Sequence, residues 1–597
     1  MGPMGPLTAF AAGKQTALFQ LEANEAPLLA PSQGPWGDPM PAVRRAGGLR
    51  GLSRAVRLAS LVMSAALLAI PRTAPAADTP IKVLNVPGSL ILDAPGKKTI
   101  SFDIPAQESA AGKTFVVSVY GYDSNASPMA TPVALYRKTI TPPGAANVSV
   151  NVDIPRIGLF LVDAKVLSAD GATLSSTKIN VAAIASVKQN SFPGAGVITH
   201  FAQDKGSPPV VLPLIKKAGF TWIRDEIYWN AIEKQRGLFI FPPQYDRYIK
   251  QASLMDIKPL IVLDYANPAV YPGLFKGPQG FPRTADERQL FVNYVRAVTR
   301  RYGSVVKHWE VWNEPSFGDI SYANYVSLLK DVYVAIKTSS PDATVISCGG
   351  GGAGGGPSGD CITSILAAGG AGYQDGFSVH PYMSPYPPET GYGTKDSAID
   401  SVNIPTVWPH LGKMMAANPK PGQGRFTVWV TEIGWPSAPA SAGLSEVGQA
   451  GNIVRTYLLS RRYNAVEAVF WYDFVDDGAG SDDQEANFGL LRADLSPKPA
   501  YVATAVLAKT LGARSWDHAF IDSSDVKVFQ YGTTDPVIVG WQAETNAHPT
   551  LVKIPPGNYI QRDWQGVTST VIVPAQGLNW QLGPMPKYLT PAVGQER

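Results

Sequence analysis

Two glutamates in this chain each close a hydrophobic run. Glu314 ends the segment His308-Trp309-Glu310-Val311-Trp312-Asn313-Glu314 and is followed by Pro315. Glu432 ends Phe426-Thr427-Val428-Trp429-Val430-Thr431-Glu432 and is followed by Ile433-Gly434-Trp435. Runs rich in Val, Trp and Phe that stop at a turn residue read as short buried strands. Carboxyl groups at the same ends of two parallel strands can face each other across a sugar ring. With one protonated and one ionised, about 5–5.5 Å apart, such a pair cleaves a glycosidic bond with retention of configuration. Asn313 can hydrogen-bond the hydroxyl next to the reacting carbon, which helps most if the bond tightens in the transition state.

The elements that must carry these groups are legible around them. From Gly194 to about Leu511, strand-like runs alternate with amphipathic stretches. The strand candidates are 196–201, 221–225, 258–263, 307–312, 343–347, 376–380, 427–431 and 468–471. Helical stretches follow most of them, among them 242–255, 286–302, 322–338, 446–463 and 499–511. Eight strand–helix units predict an α/β fold, a (β/α)8 TIM barrel over residues 191–512. Glu314 then follows strand four and Glu432 strand seven, both on the C-terminal face where such barrels hold their sites. Residues 78–190 show short β-rich runs punctuated by Gly, Pro, Asn and Asp, which predicts a β-sandwich. Residues 513–597 return to short strands and predict a small C-terminal β-domain.

Composition excludes several classes. The formal charge is +4, but residues 1–77 hold seven basic and three acidic side chains, so the remainder carries 44 of each sign. A neutral mature chain calls for no nucleic acid or other polyanion as partner. The charged leader contains the apolar run Leu58–Ile70 and then Ala74-Pro75-Ala76, the pattern of a signal peptide, with Met40 a candidate start. The run is shorter than the roughly 20 residues that span a bilayer. Export to the periplasm or the exterior is therefore expected, with no integral membrane segment in the mature chain. The two cysteines, Cys348 and Cys361, could pair in an exported protein or remain buried thiols. Six scattered histidines lack paired metal-ligand spacing, and the Gly349–Gly359 run lacks the Gly-Lys-Ser/Thr ending of a phosphate loop. No catalytic metal and no cofactor are expected.

The two motifs, Trp-Asn-Glu-Pro after strand four and Thr-Glu-Ile-Gly-Trp after strand seven, resemble the clan A glycoside hydrolases. Within that clan the chain is most similar to glycoside hydrolase family 39, with its bacterial exopolysaccharide hydrolase and β-xylosidase relatives. The resemblance covers the barrel and the C-terminal β-domain, and the N-terminal sandwich departs from the family's pattern. It implies Glu314 as acid/base, Glu432 as nucleophile and Asn313 as partner of the 2-hydroxyl. It further implies that Arg224, ending strand two, keeps the nucleophile ionised. His380 and Tyr382, after strand six, match the clan's His/Tyr pair near the nucleophile, and Trp471, ending strand eight, matches its stacking floor. Tyr228, Trp229, Tyr265 and Asn267 lie just past strands two and three, where they could line sugar subsites or simply pack.

The expectation is thus a retaining glycoside hydrolase acting on a polysaccharide, endo-acting and monomeric, on the β-configured bonds that the resemblance implies. An exo-acting β-xylosidase-like enzyme is the alternative, a transglycosylase shares the same intermediate, and a non-catalytic glycan-binding protein would use the same scaffold.

Overall fold

The computed structural model describes residues 81–592, apart from 106–112, 140–146, 186, 188–191, 276–279, 316, 318, 351–359, 396–397, 423, 439–442, 479–481 and 544–548. The leader with its apolar run, and most of the Gly349–Gly359 run, lie outside the described residues.

Eight strands pair in chain order, all parallel, and close into a barrel. They are β1 (Ala195–Ile198), β2 (Trp222–Tyr228), β3 (Lys258–Asp264), β4 (His308–Val311), β5 (Thr344–Gly350), β6 (Gly376–Val379), β7 (Thr427–Ile433) and β8 (Ala468–Trp471). One main helix follows each: α1 (Pro208–Ala218), α2 (Pro243–Leu254), α3 (Ala285–Tyr302), α4 (Tyr322–Ser339), α5 (Asp360–Ala367), α6 (Ile404–Ala417), α7 (Glu446–Tyr463) and α8 (Pro499–Leu511). The fold is the expected TIM barrel. Local chemistry sets the helix starts. Thr284 and Glu287 form a capping box on α3, and the side chains of Ser321, Asn403 and Ser445 each accept a backbone N–H at the starts of α4, α6 and α7.

Both faces of every strand are covered, so the strands read as nearly continuous apolar runs. The period of two then sorts their residues. Val469 and Trp471 on β8, and Trp309 and Val311 on β4, join the core under the helices. Trp222, Trp429, Ala468 and Phe470 point the other way and form an apolar floor inside the barrel. Trp222 is its centre, edge-on to His308, Trp429 and Phe470 at 4.6, 5.2 and 6.2 Å between ring centroids. Above this floor the same inward phase turns polar, through Arg224 on β2 and Glu310 on β4, both buried.

A two-sheet domain precedes the barrel. A three-stranded sheet (Lys82–Val83, Gly96–Asp103, Asn147–Ile154) faces a five-stranded one whose long strands are Thr114–Gly121, Gly158–Leu167 and Thr173–Ala183. Phe102, Val117, Phe160 and Val162 fill the space between them. After α8, six strands form a second sheet, with Trp516–Asp522 at one edge and Thr568–Val573 at the other. Buried polar bonds seat the first domain on the others. Asn180 accepts from Tyr122 (2.9 Å) and donates to the Pro497 carbonyl (2.9 Å), while Gln565 donates to the Tyr122 carbonyl (2.8 Å).

One backbone contact bears directly on Glu314. Gly349, on β5, accepts the Glu314 N–H at 3.1 Å and has φ +57°. A Cβ there would lie 2.8 Å from the Trp312 carbonyl oxygen and 3.2 Å from the Glu314 nitrogen. Gly349→Ala is expected to lower stability by about 1–3 kcal/mol through left-handed strain plus this clash. Gly369→Ala, at φ +87° with no atom within 4 Å, carries the strain alone. Urea midpoints of the two variants test the difference, and equal losses would remove the clash from the account.

Candidate active site

Arg224 organises the mouth of the barrel. It lies in the middle of β2 rather than at its end, because the strand continues to Tyr228, and the inward phase aims it at the barrel axis. The guanidinium is 3% exposed and each nitrogen has a different task. Nε donates to Glu310 at 2.7 Å, Nη1 to Glu432 at 2.9 Å and Nη2 to the Asn313 side-chain oxygen at 2.8 Å. Burial would lower its pKa, but the Glu310 and Glu432 carboxylates outweigh burial and raise it. Arg224 therefore stays charged at any working pH.

Glu432 reaches this centre through a flaw in β7. Trp429 and Thr431 point inward, so strict alternation would turn Glu432 out toward the helices. The pairing of β7 with β8 shifts register between Val430 and Ile433, and Glu432 faces the mouth beside Thr431. Its second oxygen accepts from the Tyr382 hydroxyl at 2.9 Å. Burial, followed by the nearby Glu432 charge, pushes the Tyr382 phenol far above its ordinary pKa, so it remains a donor. The Glu432 side chain is only 11% exposed.

Glu314 sits differently. Trp312 and Glu314 both have positive φ (70° and 43°), so the chain turns sharply as it leaves β4. The Glu314 side chain is 41% exposed and meets His380 Nδ1 at 2.8 Å. Nε2 of the same ring meets Thr431 Oγ1 at 2.9 Å, and Thr431 donates to Glu310 at 3.0 Å. These contacts fix the protons. Thr431 spends its one proton on Glu310, so it must accept from His380 Nε2–H. A neutral His380 then accepts a hydrogen bond at Nδ1 from protonated Glu314; a charged one donates to ionised Glu314. Either way the pair holds one proton. Burial would lower the His380 pKa, but the Glu432 and Glu314 charges overcome it and raise it. One oxygen each of Glu314 and Glu432 and one His380 nitrogen lie within 4.8 Å of one another.

Asn313 is oriented by the same logic. An arginine can only donate, so Asn313 must present its oxygen to Arg224 and its NH2 elsewhere. One N–H goes to the Tyr265 hydroxyl at 3.1 Å, leaving the amide disposed to donate into the mouth. Tyr265 stacks on Tyr228 (6.4 Å, 23°) as a wall on that side. Tyr382, Tyr472 and Phe488 make the opposite wall, with Tyr472 5.1 Å from Phe488 and 6.5 Å from Tyr382.

Glu314, Glu432, Asn313, Arg224, His380, Tyr382, Tyr228 and Tyr265 thus converge, whereas Trp471 does not. Trp471 is fully buried, stacks on Trp435 (5.6 Å, 22°) and donates to the Phe488 carbonyl. Its outward phase on β8 removes it from the sugar side, and the next residue, Tyr472, takes the inward position. Trp229 and Asn267 are also packing residues. Trp229 stacks on Tyr294 beneath the helices, and buried Asn267 donates to the Glu233 carbonyl. Cys348 and Cys361 are paired, tying β5 to α5.

Several participants went unnoticed in the sequence. Glu310 and Thr431 needed only the strand period, since Glu310 shares the inward phase of His308 and Thr431 that of Trp429. Glu226 and Asp264 had no motif. Burial, and then the proximity of Asp264, pushes the Glu226 carboxyl well above the usual range. Burial does the same to Asp264, against the pull of Arg224, and neither Asp264 oxygen has a hydrogen-bond partner. Burial thus favours the protonated form of both acids, and Tyr228 donates to Glu226.

No family model matches the chain, and no curated protein matches it by sequence. Solved structures do. A family 39 glycoside hydrolase from the gut symbiont Bacteroides cellulosilyticus WH2 is 32% identical, with a TM-score of 0.75, over 86% of this chain and all of the other. That coverage cannot be reached by residues 191–597 alone, so the likeness extends into the N-terminal domain, which the sequence had set apart from the family. Two others are more distant. The family 39 enzyme from Xanthomonas axonopodis pv. citri is 16% identical over 68% of this chain and 96% of its own, with a TM-score of 0.46. A monomeric β-xylosidase from Caulobacter crescentus CB15 is 17% identical over 69% and 98%, with a TM-score of 0.47.

The shared proton has a consequence for pH. Because the His380 pKa is raised, the pair keeps its proton above the ordinary imidazole range. In His380→Gln the raised imidazole is lost, so the basic limb of the kcat/KM profile is expected to move to lower pH. Stability follows the same sign. The His380 contribution is full below the unfolded histidine pKa, fades as pH rises through the folded value, and is absent in the variant. A basic limb that stays in place would exclude the shared proton.

Proposed function

The chain belongs to glycoside hydrolase family 39, and from that premise we propose that it is a retaining, endo-acting hydrolase of an exported or extracellular polysaccharide. The carrying observation is the close approach of Glu314 and Glu432, whose nearest grouped oxygens lie within 4.8 Å. That spacing suits direct attack, whereas an inverting pair stands roughly 6.5–9.5 Å apart to admit a water. Their surroundings support a division of labour. Glu432 is buried against Arg224 and Tyr382, two donors that favour its ionised form, as a nucleophile requires. Glu314 is the more exposed carboxyl and shares a proton with His380, as an acid/base requires.

In the first step a Glu432 oxygen bonds to the anomeric carbon as the bond to the leaving oxygen breaks. The proton held by Glu314 and His380 passes to that oxygen. In the second step Glu314 takes a proton from water, the water oxygen bonds to the anomeric carbon, and the ester to Glu432 breaks. Asn313 donates to the neighbouring hydroxyl throughout. The Tyr228/Tyr265 and Tyr382/Tyr472/Phe488 walls offer aromatic surface to sugar rings on either side. The Cys348–Cys361 bond suits an oxidising compartment and supports export.

The test is product release from a panel of polysaccharides and aryl β-glycosides, with wild type beside Glu432→Ala and Glu314→Gln. Oligosaccharides whose first-formed anomer retains the substrate configuration are expected, with activity falling at least about 10³-fold in Glu432→Ala. An inverted first anomer would refute the double displacement. Release of single sugars from chain ends would make the enzyme exo-acting. Equal background rates in all three proteins would leave only a glycan-binding role.

A further inference from the structure

A second cluster of ligating side chains lies beside the catalytic one, where β1 and β8 end. His200, just past β1, points Nδ1 at Asp477 (2.9 Å) and at Asp473 (3.7 Å), both just past β8. One ligand atom from each of the three residues falls within 4.8 Å of the others. Ligands about 2.0–2.2 Å from one tetrahedral ion stand roughly 3.3–3.6 Å apart, so binding draws the trio together by at most roughly 1.5 Å. Asp473 is 1% exposed, and its Oδ1 has no hydrogen-bond partner. A buried carboxyl oxygen without a hydrogen-bond partner is costly, and a cation would supply one.

There is also room to complete a coordination sphere. His200, Asp473 and Asp477 line a cavity of about 380 Å³, whose walls include Thr199, Phe474 and Asp476. The neighbouring cations do not already satisfy the cluster. Lys498 is engaged by Asp476 at 2.6 Å. Lys205 reaches Asp477 at 3.1 Å, but its side chain is 44% exposed and free to turn to solvent.

We propose that His200, Asp473 and Asp477 bind a divalent cation of the Zn2+ or Mn2+ type. One imidazole nitrogen and two carboxylates select these ions, whereas Mg2+ and Ca2+ take oxygen-only shells. The ion clamps the chain leaving β1 to the chain leaving β8. Tyr472 packs edge-on to His200 at 5.6 Å and reaches Tyr382, so the clamp also steadies the wall beside Glu432. The site lies outside the hydrolytic groups and does not depend on the proposed reaction.

Metal-stripped full chain titrated with Zn2+, Mn2+ and Mg2+ by calorimetry tests this, with Tm followed in parallel. About one equivalent of Zn2+ or Mn2+ is expected to bind and raise Tm, with little response to Mg2+. Asp473→Asn and Asp477→Asn should each weaken binding at least about tenfold. Lys205→Met removes only the competing ammonium and should bind at least as tightly as wild type. No binding would overturn the proposal. So would binding that survives both aspartate variants, or binding lost in Glu314→Gln, which would place the ion in the catalytic cluster.

Discussion

The arrangement at the barrel mouth depends on one buried charge. Arg224 sits above an apolar floor of Trp222, Trp429 and Phe470, where an unpaired guanidinium would be intolerable. It is held by sharing itself among Glu310, Glu432 and the Asn313 amide. Removing one member of such a buried set typically costs about 3–5 kcal/mol, because the others are left uncompensated. The same bonds are chemically specific. They give Glu432 a charged donor, fix which end of Asn313 faces the mouth, and leave Glu310 able to accept from Thr431. One side chain thus orients three others.

Glu310 deserves the description of a hub as much as Arg224. It is fully buried, and its two oxygens accept from Arg224 and from Thr431. Through Thr431 it fixes the proton on His380 Nε2, which leaves Nδ1 as the nitrogen that meets Glu314. No part of Glu310 approaches the open mouth. Its influence on the chemistry is carried wholly by hydrogen-bond direction, because each hydroxyl or ring nitrogen in the chain has one proton to give.

The strand–helix alternation was legible because each parallel strand is a nearly pure apolar run and each helix has a period near 3.6. The two glutamates were legible because each interrupts such a run at its end. Phase was harder. The run Ala468-Val469-Phe470-Trp471 is apolar on both faces, so nothing in it says which residues point inward, and Trp471 was placed on the wrong side by one position. Arg224 was put at a strand end because the candidate strand, 221–225, stops one residue later. In fact Asp225 accepts the Phe201 N–H and the Thr199 hydroxyl outside the strand, and β2 continues. Asp264 carried no signal, since a lone aspartate closing a strand also reads as an ordinary turn residue.

The decisive geometry comes from two departures from regular strand structure. On a regular strand, consecutive residues face opposite sides, so Asn313 and Glu314 could not both address one substrate, nor Thr431 and Glu432 one histidine. On β4 the alternation is broken by left-handed backbone at Trp312 and Glu314, which costs roughly 1–2 kcal/mol per residue. The Glu314 N–H to Gly349, the Arg224 bond to Asn313 and the burial of Trp312 against Phe281 and Tyr265 offset it. On β7 a register shift against β8 does the same work. The two irregularities are not equivalent, and that asymmetry matters. The β7 shift leaves Glu432 deep, beside a permanent positive charge, while the β4 turn lifts Glu314 toward solvent, beside a titratable ring. Depth and partner together give two identical side chains different surroundings, one buried against a guanidinium and one half-exposed against an imidazole.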